Sequence, residues 1–89
     1  MIIQDITIIN KLGLHARAAS KLVNLCSQFS SSVDLENKGN KVNAKSIMGV
    51  MMLAASKGTV LKLEVDGEDE TQCMQAIDTL FNNRFDEDE

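Results

Sequence analysis

The sequence predicts an α+β fold, an open-faced β-sandwich. In it a four-stranded antiparallel sheet has one face in solvent and the other covered by three helices, in the order β-α-β-β-α-β-α. Two kinds of periodicity support this. Four segments are β-branched or alternate apolar with polar residues, whereas three others repeat their apolar residues at spacings of three and four. Length is the third observation: 89 residues suit one compact unit, residues 1–89, without separate catalytic and regulatory halves.

Ile2 to Ile9 is β-branched and partly alternating, and the turn-prone Asn10-Lys11-Leu12-Gly13 closes it, so it reads as the first strand. From Ala16 the positions Ala19, Leu22, Val23, Cys26 and Phe29 form the apolar stripe of a helix that ends before Ser30-Ser31-Ser32. Val33 and Leu35, then Val42 and Ala44, alternate with polar residues on either side of Asn37-Lys38-Gly39-Asn40, the pattern of a hairpin. Ser46 is placed to N-cap a short helix, Ile47 to Leu53, that Gly49 weakens locally. Beyond the Ser56-Lys57-Gly58 turn, Leu61, Leu63 and Val65 point opposite to Lys62, Glu64 and Asp66, which marks a half-buried strand. Asp69 and Gln72 have the spacing of a capping box before a helix with Cys73, Ile77, Leu80 and Phe81 on its apolar face. The acidic run Asp86-Glu87-Asp88-Glu89 is expected to fray. Many ferredoxin-like binding modules share this element order, so topology alone leaves function open.

Composition narrows the function. Such a short chain buries only about 60–65% of its unfolded surface, which disfavours a deep substrate cavity. With 44% hydrophobic and 25% charged residues it has the balance of a globular domain. No apolar run approaches the ~20 residues of a membrane span and no signal-type start is present, so a cytoplasmic location without membrane insertion is expected. Cys26 and Cys73 form neither a CxxC pair nor a disulfide framework and read as small core residues. A net charge of −4 argues against nucleic-acid binding. Its distribution is uneven: residues 1–57 carry +4 and residues 58–89 carry −8, so the front half suits an anionic ligand or an acidic partner.

The only histidine, His15, falls where a loop enters a helix, in Gly13-Leu14-His15-Ala16-Arg17. The first backbone amides of a helix lack intrahelical partners and carry the positive end of its dipole, so a phosphate beside Ala16 and Arg17 gains hydrogen bonds and field stabilisation. An imidazole, with an ordinary pKa of about 6.5, is a usable nucleophile near neutrality and forms a reactive phosphoramidate. Arg17 supplies planar donors for phosphate oxygens. No glycine-rich nucleotide loop accompanies them, so the phosphoryl donor must be another protein. A histidine that merely caps or packs at the helix entrance is the competing structural role. A metal site is weaker still, since no second ligand lies nearby in the sequence, and no cofactor is expected.

Lys11-Leu12-Gly13-Leu14-His15-Ala16-Arg17 and Lys45-Ser46-Ile47-Met48-Gly49-Val50-Met51 closely resemble HPr, the phosphocarrier family of the bacterial phosphoenolpyruvate-dependent phosphotransferase system. The resemblance covers essentially the whole chain. It implies that enzyme I phosphorylates His15 on its δ1 nitrogen, that His15 donates to an enzyme IIA domain, and that Arg17 attends the phosphate. The chain would then be a stoichiometric relay in sugar transport rather than a stand-alone enzyme. Ser46 matches the serine that HPr kinase/phosphorylase modifies in many members; its other role is a plain N-cap. Ile47, Met48 and Met51 would form a docking patch, rimmed by Lys21 and Lys45. A monomer is expected. The sequence departs from the family at Ala18, where many relatives have proline, and its ending Leu80 to Asp88 is similar to NPr, the nitrogen-branch paralogue. An NPr-like regulatory relay and a non-phosphorylated binding module therefore stand as alternatives. Retention of His15 with Arg17 speaks against the second.

Overall fold

The computed structural model describes residues 1–87. Strand β1 spans Ile2–Thr7, helix α1 Ala16–Cys26, β2 Ser32–Asn37, β3 Asn40–Asn43, α2 Ile47–Met52, β4 Val60–Asp66 and α3 Glu70–Asn82, followed by a 3₁₀ turn at Arg84–Asp86. The four strands form one antiparallel sheet in the order β1-β4-β2-β3. The α+β class and the element order are those the sequence predicts.

Alternation decides the two faces of the sheet. Leu61, Leu63 and Val65 of β4 lie opposite Ile6, Leu35 and Val33, and all six are buried. On the other face Asp5, Lys62, Glu36 and Lys41 are direct cross-strand neighbours, a row of alternating charge spanning the whole sheet. Such a row is stable in water and costly to bury. The helices cover the apolar face alone: Ala18, Ala19, Leu22, Val23 and Cys26 of α1, Val50 of α2, and Cys73, Met74, Ile77 and Phe81 of α3 join the inward strand residues in one core. Cys26 and Cys73 are free and buried, and burial is the main cause that raises both thiols, Cys26 to about 12. They are core residues, as the sequence suggests.

Several local expectations need correction. Asp69 holds the N-cap position of α3 but makes no capping bond, because its backbone (φ −102°, ψ 25°) is not the extended form a capping side chain needs. Its carboxylate instead accepts from the Ser30 and Ser31 amides, both at 2.9 Å, and from the Ser31 hydroxyl. Helix α1 ends at Cys26 rather than Phe29, since the amides of Gln28 and Phe29 bond three residues back and tighten the chain out of the helix. Leu80 packs against the core while partly buried, and Met74, which is not among the predicted apolar positions, is buried within it.

The described part of the acidic run, Asp86 and Glu87, makes hydrogen bonds to the rest of the fold. Phe85 is wholly buried and its ring meets that of Phe81 at 4.8 Å, which holds the 3₁₀ turn against α3. Arg84, Phe85 and Asp86 all take positive φ to make this reversal. The remainder of the predicted fray, Asp88 and Glu89, lies outside the described residues.

Candidate functional site

The loop that carries His15 is held from both sides. Asn10 is fully buried and its amide donates to the Gly13 carbonyl at 2.9 Å, closing the turn. Gly13 takes φ +68°, and a Cβ there would lie 2.5 Å from the Ala55 carbonyl oxygen, so only glycine lets this loop lie on residues 55–56. The Leu14 amide then donates to Ala55 at 3.0 Å, and the Leu14 side chain is buried.

His15 follows in extended conformation (φ −75°, ψ 177°) at the N-cap of α1. Its carbonyl accepts the first helical bond, from Ala19 at 2.8 Å, so the amides of Ala16, Arg17 and Ala18 precede the ladder. The side chain makes no capping bond, which removes the simple capping role. The ring is 26% exposed. Its Nε2 lies 2.5 Å from Oε2 of Glu87, and among the described residues Nδ1 has no hydrogen-bond partner. Arg17 is exposed, whereas Ala18, the departure from the family pattern, is packed in the core.

Glu87 is the residue that sequence reasoning missed. Its Oε1 accepts from the Asn10 amide at 3.1 Å. Partial desolvation pushes its carboxyl upward, but hydrogen bonds from Asn10 and His15 and the charges of His15 and Lys21 outweigh this and hold it below the usual carboxylate range. A carboxylate thus reaches a site that the front half of the chain, taken alone, makes positive. The available signal was its negative charge; its destination, 72 residues away from His15, was not encoded locally.

Ser46 is the N-cap of α2, as predicted: its Oγ accepts from the Gly49 amide at 3.2 Å. Helix α2 packs against α1 and leaves an apolar surface in water, with Met48 73% and Met52 77% exposed beside Ile47 and Met51. Lys21 and Lys45 do not form a free rim. The Lys21 ammonium donates to the Phe85 carbonyl at 2.6 Å, and that of Lys45 to the Phe29 carbonyl at 2.9 Å. Among the described residues no cluster of three His, Cys, Asp or Glu side chains could hold a metal, and no helix is long and apolar enough to cross a membrane.

A part-exposed imidazole whose Nδ1 has no hydrogen-bond partner among the described residues is set at the leading end of a helix in a small α+β domain. A family model described as "PTS HPr component phosphorylation site" matches residues 2–83. The phosphocarrier protein HPr of Xylella fastidiosa (strain Temecula1) is 59% identical over 88 residues, covering 99% of either chain. That of Neisseria meningitidis serogroup B is 55% identical over 89 residues, all of both chains. The crystal structure of HPr-C-His from Thermoanaerobacter tengcongensis is similar with a TM-score of 0.96 at 45% identity, covering both chains completely. The chain belongs to the HPr family of phosphocarrier proteins of the phosphotransferase system, whose partners are enzyme I and enzyme IIA.

Proposed function

We propose that His15 is the phosphoryl acceptor, through Nδ1, and that the whole of residues 1–89 acts as one carrier domain. The observation that supports this most is a part-exposed ring whose Nδ1 has no hydrogen-bond partner among the described residues, directly before the α1 amides that precede the helical ladder. A phosphoryl group on that nitrogen would find the Ala16 and Arg17 amides and the positive end of the helix dipole, with the exposed Arg17 guanidinium two residues on to offset its charge. No cofactor enters the scheme. Incubation with enzyme I and phosphoenolpyruvate, followed by mapping of acid-labile phosphate, tests it: the label is expected on His15 and absent from His15→Ala. Label retained by that variant overturns the assignment.

Ile47, Met48 and Met51 form the docking surface on this reading, since a short helix cannot bury them and methionine adapts to more than one partner. Lys21 and Lys45 contribute positive potential around the patch while their ammonium groups stay tied to main-chain carbonyls. Ser46 is a regulatory site for an HPr kinase/phosphorylase. Phosphate at the N-terminus of α2 is electrostatically tolerated, so its effect is a new charge on the docking face rather than loss of the helix. The carrier acts as a cytoplasmic monomer in sugar transport.

A further inference from the structure

We propose that Glu87 is a positioning residue for the relay: its carboxylate keeps the His15 ring proton on Nε2 and so keeps the lone pair on Nδ1. The inference rests on the reading of His15 as acceptor. It concerns a segment beyond residue 83, where the family match ends.

When the ring is neutral, the contact allows one polarity only. An ionised carboxylate accepts and never donates, so the ring nitrogen 2.5 Å from Oε2 must be the one that carries hydrogen. A neutral imidazole has a single ring proton, and with that proton on Nε2 the other nitrogen presents its lone pair. Glu87 is held by Asn10, and the two residues before it are anchored in turn. Asn10 binds its second oxygen and is anchored to Gly13, Phe85 is buried against Phe81, and Lys21 binds the Phe85 carbonyl while lying 4.0 Å from the Asp86 carboxylate. The carboxylate thus approaches the ring from the Nε2 side and leaves Nδ1 open.

Transfer then needs no proton movement. The Nδ1 lone pair forms the new bond to phosphorus, while the bond from phosphorus to the donor breaks and its electron pair stays with the donor. The ring retains its Nε2 hydrogen and becomes a cation, which the adjacent carboxylate neutralises. In the onward step a nucleophile of the acceptor protein gives its electron pair to phosphorus as the Nδ1–phosphorus bond breaks; that bond's pair returns to Nδ1, and the same neutral tautomer reappears. Carboxylates that orient metal-bound imidazoles play a comparable part, and their loss typically costs about 10- to 100-fold.

The test uses the full chain and its Glu87→Ala and Glu87→Gln variants. Nitrogen-15 shifts of the ring, recorded where it is neutral, read the tautomer before any phosphorylation. Wild type is expected to hold hydrogen on Nε2, Glu87→Ala to drift to a mixture, and Glu87→Gln, which still offers an acceptor, to stay near wild type. With phosphorylated enzyme I as donor, Glu87→Ala is expected to lose about tenfold or more in kcat at nearly constant KM. An unchanged tautomer in Glu87→Ala overturns the proposal. So does an altered tautomer with kcat unchanged or raised, the latter marking Glu87 as an obstruction, and so does a loss confined to KM, which would place it at the docking surface. Failure of the acceptor reading is separate, since it shows as phosphate retained by His15→Ala.

Discussion

Replacing Gly13 with alanine tests how the fold holds the reactive loop. At φ +68° an L-residue pays roughly 1–2 kcal/mol for the left-handed backbone. The new Cβ would also stand 2.5 Å from the Ala55 carbonyl oxygen and 2.8 Å from Ser56 Cα, main-chain atoms that no rotamer change can move aside. The loop must lift, which surrenders the Leu14–Ala55 hydrogen bond, worth about 1 kcal/mol, and part of the packing of buried Leu14. Together these give a loss of about 3–4 kcal/mol, a large share of the roughly 5–15 kcal/mol that stabilises a domain. Gly39→Ala is the internal control, because Gly39 also has positive φ (+88°) but nothing within 4 Å of its Cβ. It incurs the backbone cost alone. Urea denaturation of both variants measures the difference, expected at about 2 kcal/mol, and phosphorylation by enzyme I should slow only in Gly13→Ala. Equal stability losses within about 0.5 kcal/mol would show that contact with residues 55–56 does not hold the loop.

Three further outcomes follow from the same structure. Phe85→Ala removes a fully buried ring and its contact with Phe81, so urea denaturation should show a loss of about 3 kcal/mol, together with a changed environment of the His15 ring; a loss below about 1 kcal/mol would contradict the anchoring role. Asp69, whose carboxyl is lowered from 3.8 to about 2 chiefly by the Ser31 hydroxyl and the Ser30 amide, favours the folded state when ionised. Its contribution is present above the unfolded value and disappears as pH falls from about 4 towards 2, so the stability gap between wild type and Asp69→Asn should narrow over that interval; a gap that stays constant refutes the linkage. Met48→Ala should weaken enzyme I binding by about 5- to 30-fold, while folding stability changes by less than about 0.5 kcal/mol, and unchanged affinity in a titration would remove Met48 from the docking surface.

Regular elements were readable because their cause is local. Period-two alternation placed Leu61, Leu63 and Val65 inward, three-and-four spacing placed Ala19, Leu22, Val23 and Cys26 on one stripe, and a serine before an apolar run capped α2 as expected. His15 stood out for a similar reason, as a lone imidazole off the stripe at a helix entrance. The misreadings share the opposite cause. Asp69 had the spacing of a cap, but serines 38 and 39 positions away offered better-aligned donors. The 3₁₀ turn at Arg84–Asp86 has no period to detect, being too short to show one, and depends on where Phe81 leaves room for a second ring.

Which residues fold into which layer is set by side chains a few positions apart, and hydrophobicity alone suffices to express it. Which charged groups meet at the reactive ring depends instead on how the sheet and helices bring remote segments together. Lys21 joins Phe85 across 64 positions and His15 joins Glu87 across 72. Polar contacts of that kind follow from distance and direction in space, so the proposed phosphoryl acceptor is visible in the chain while the carboxylate that faces it emerges only once the chain has closed.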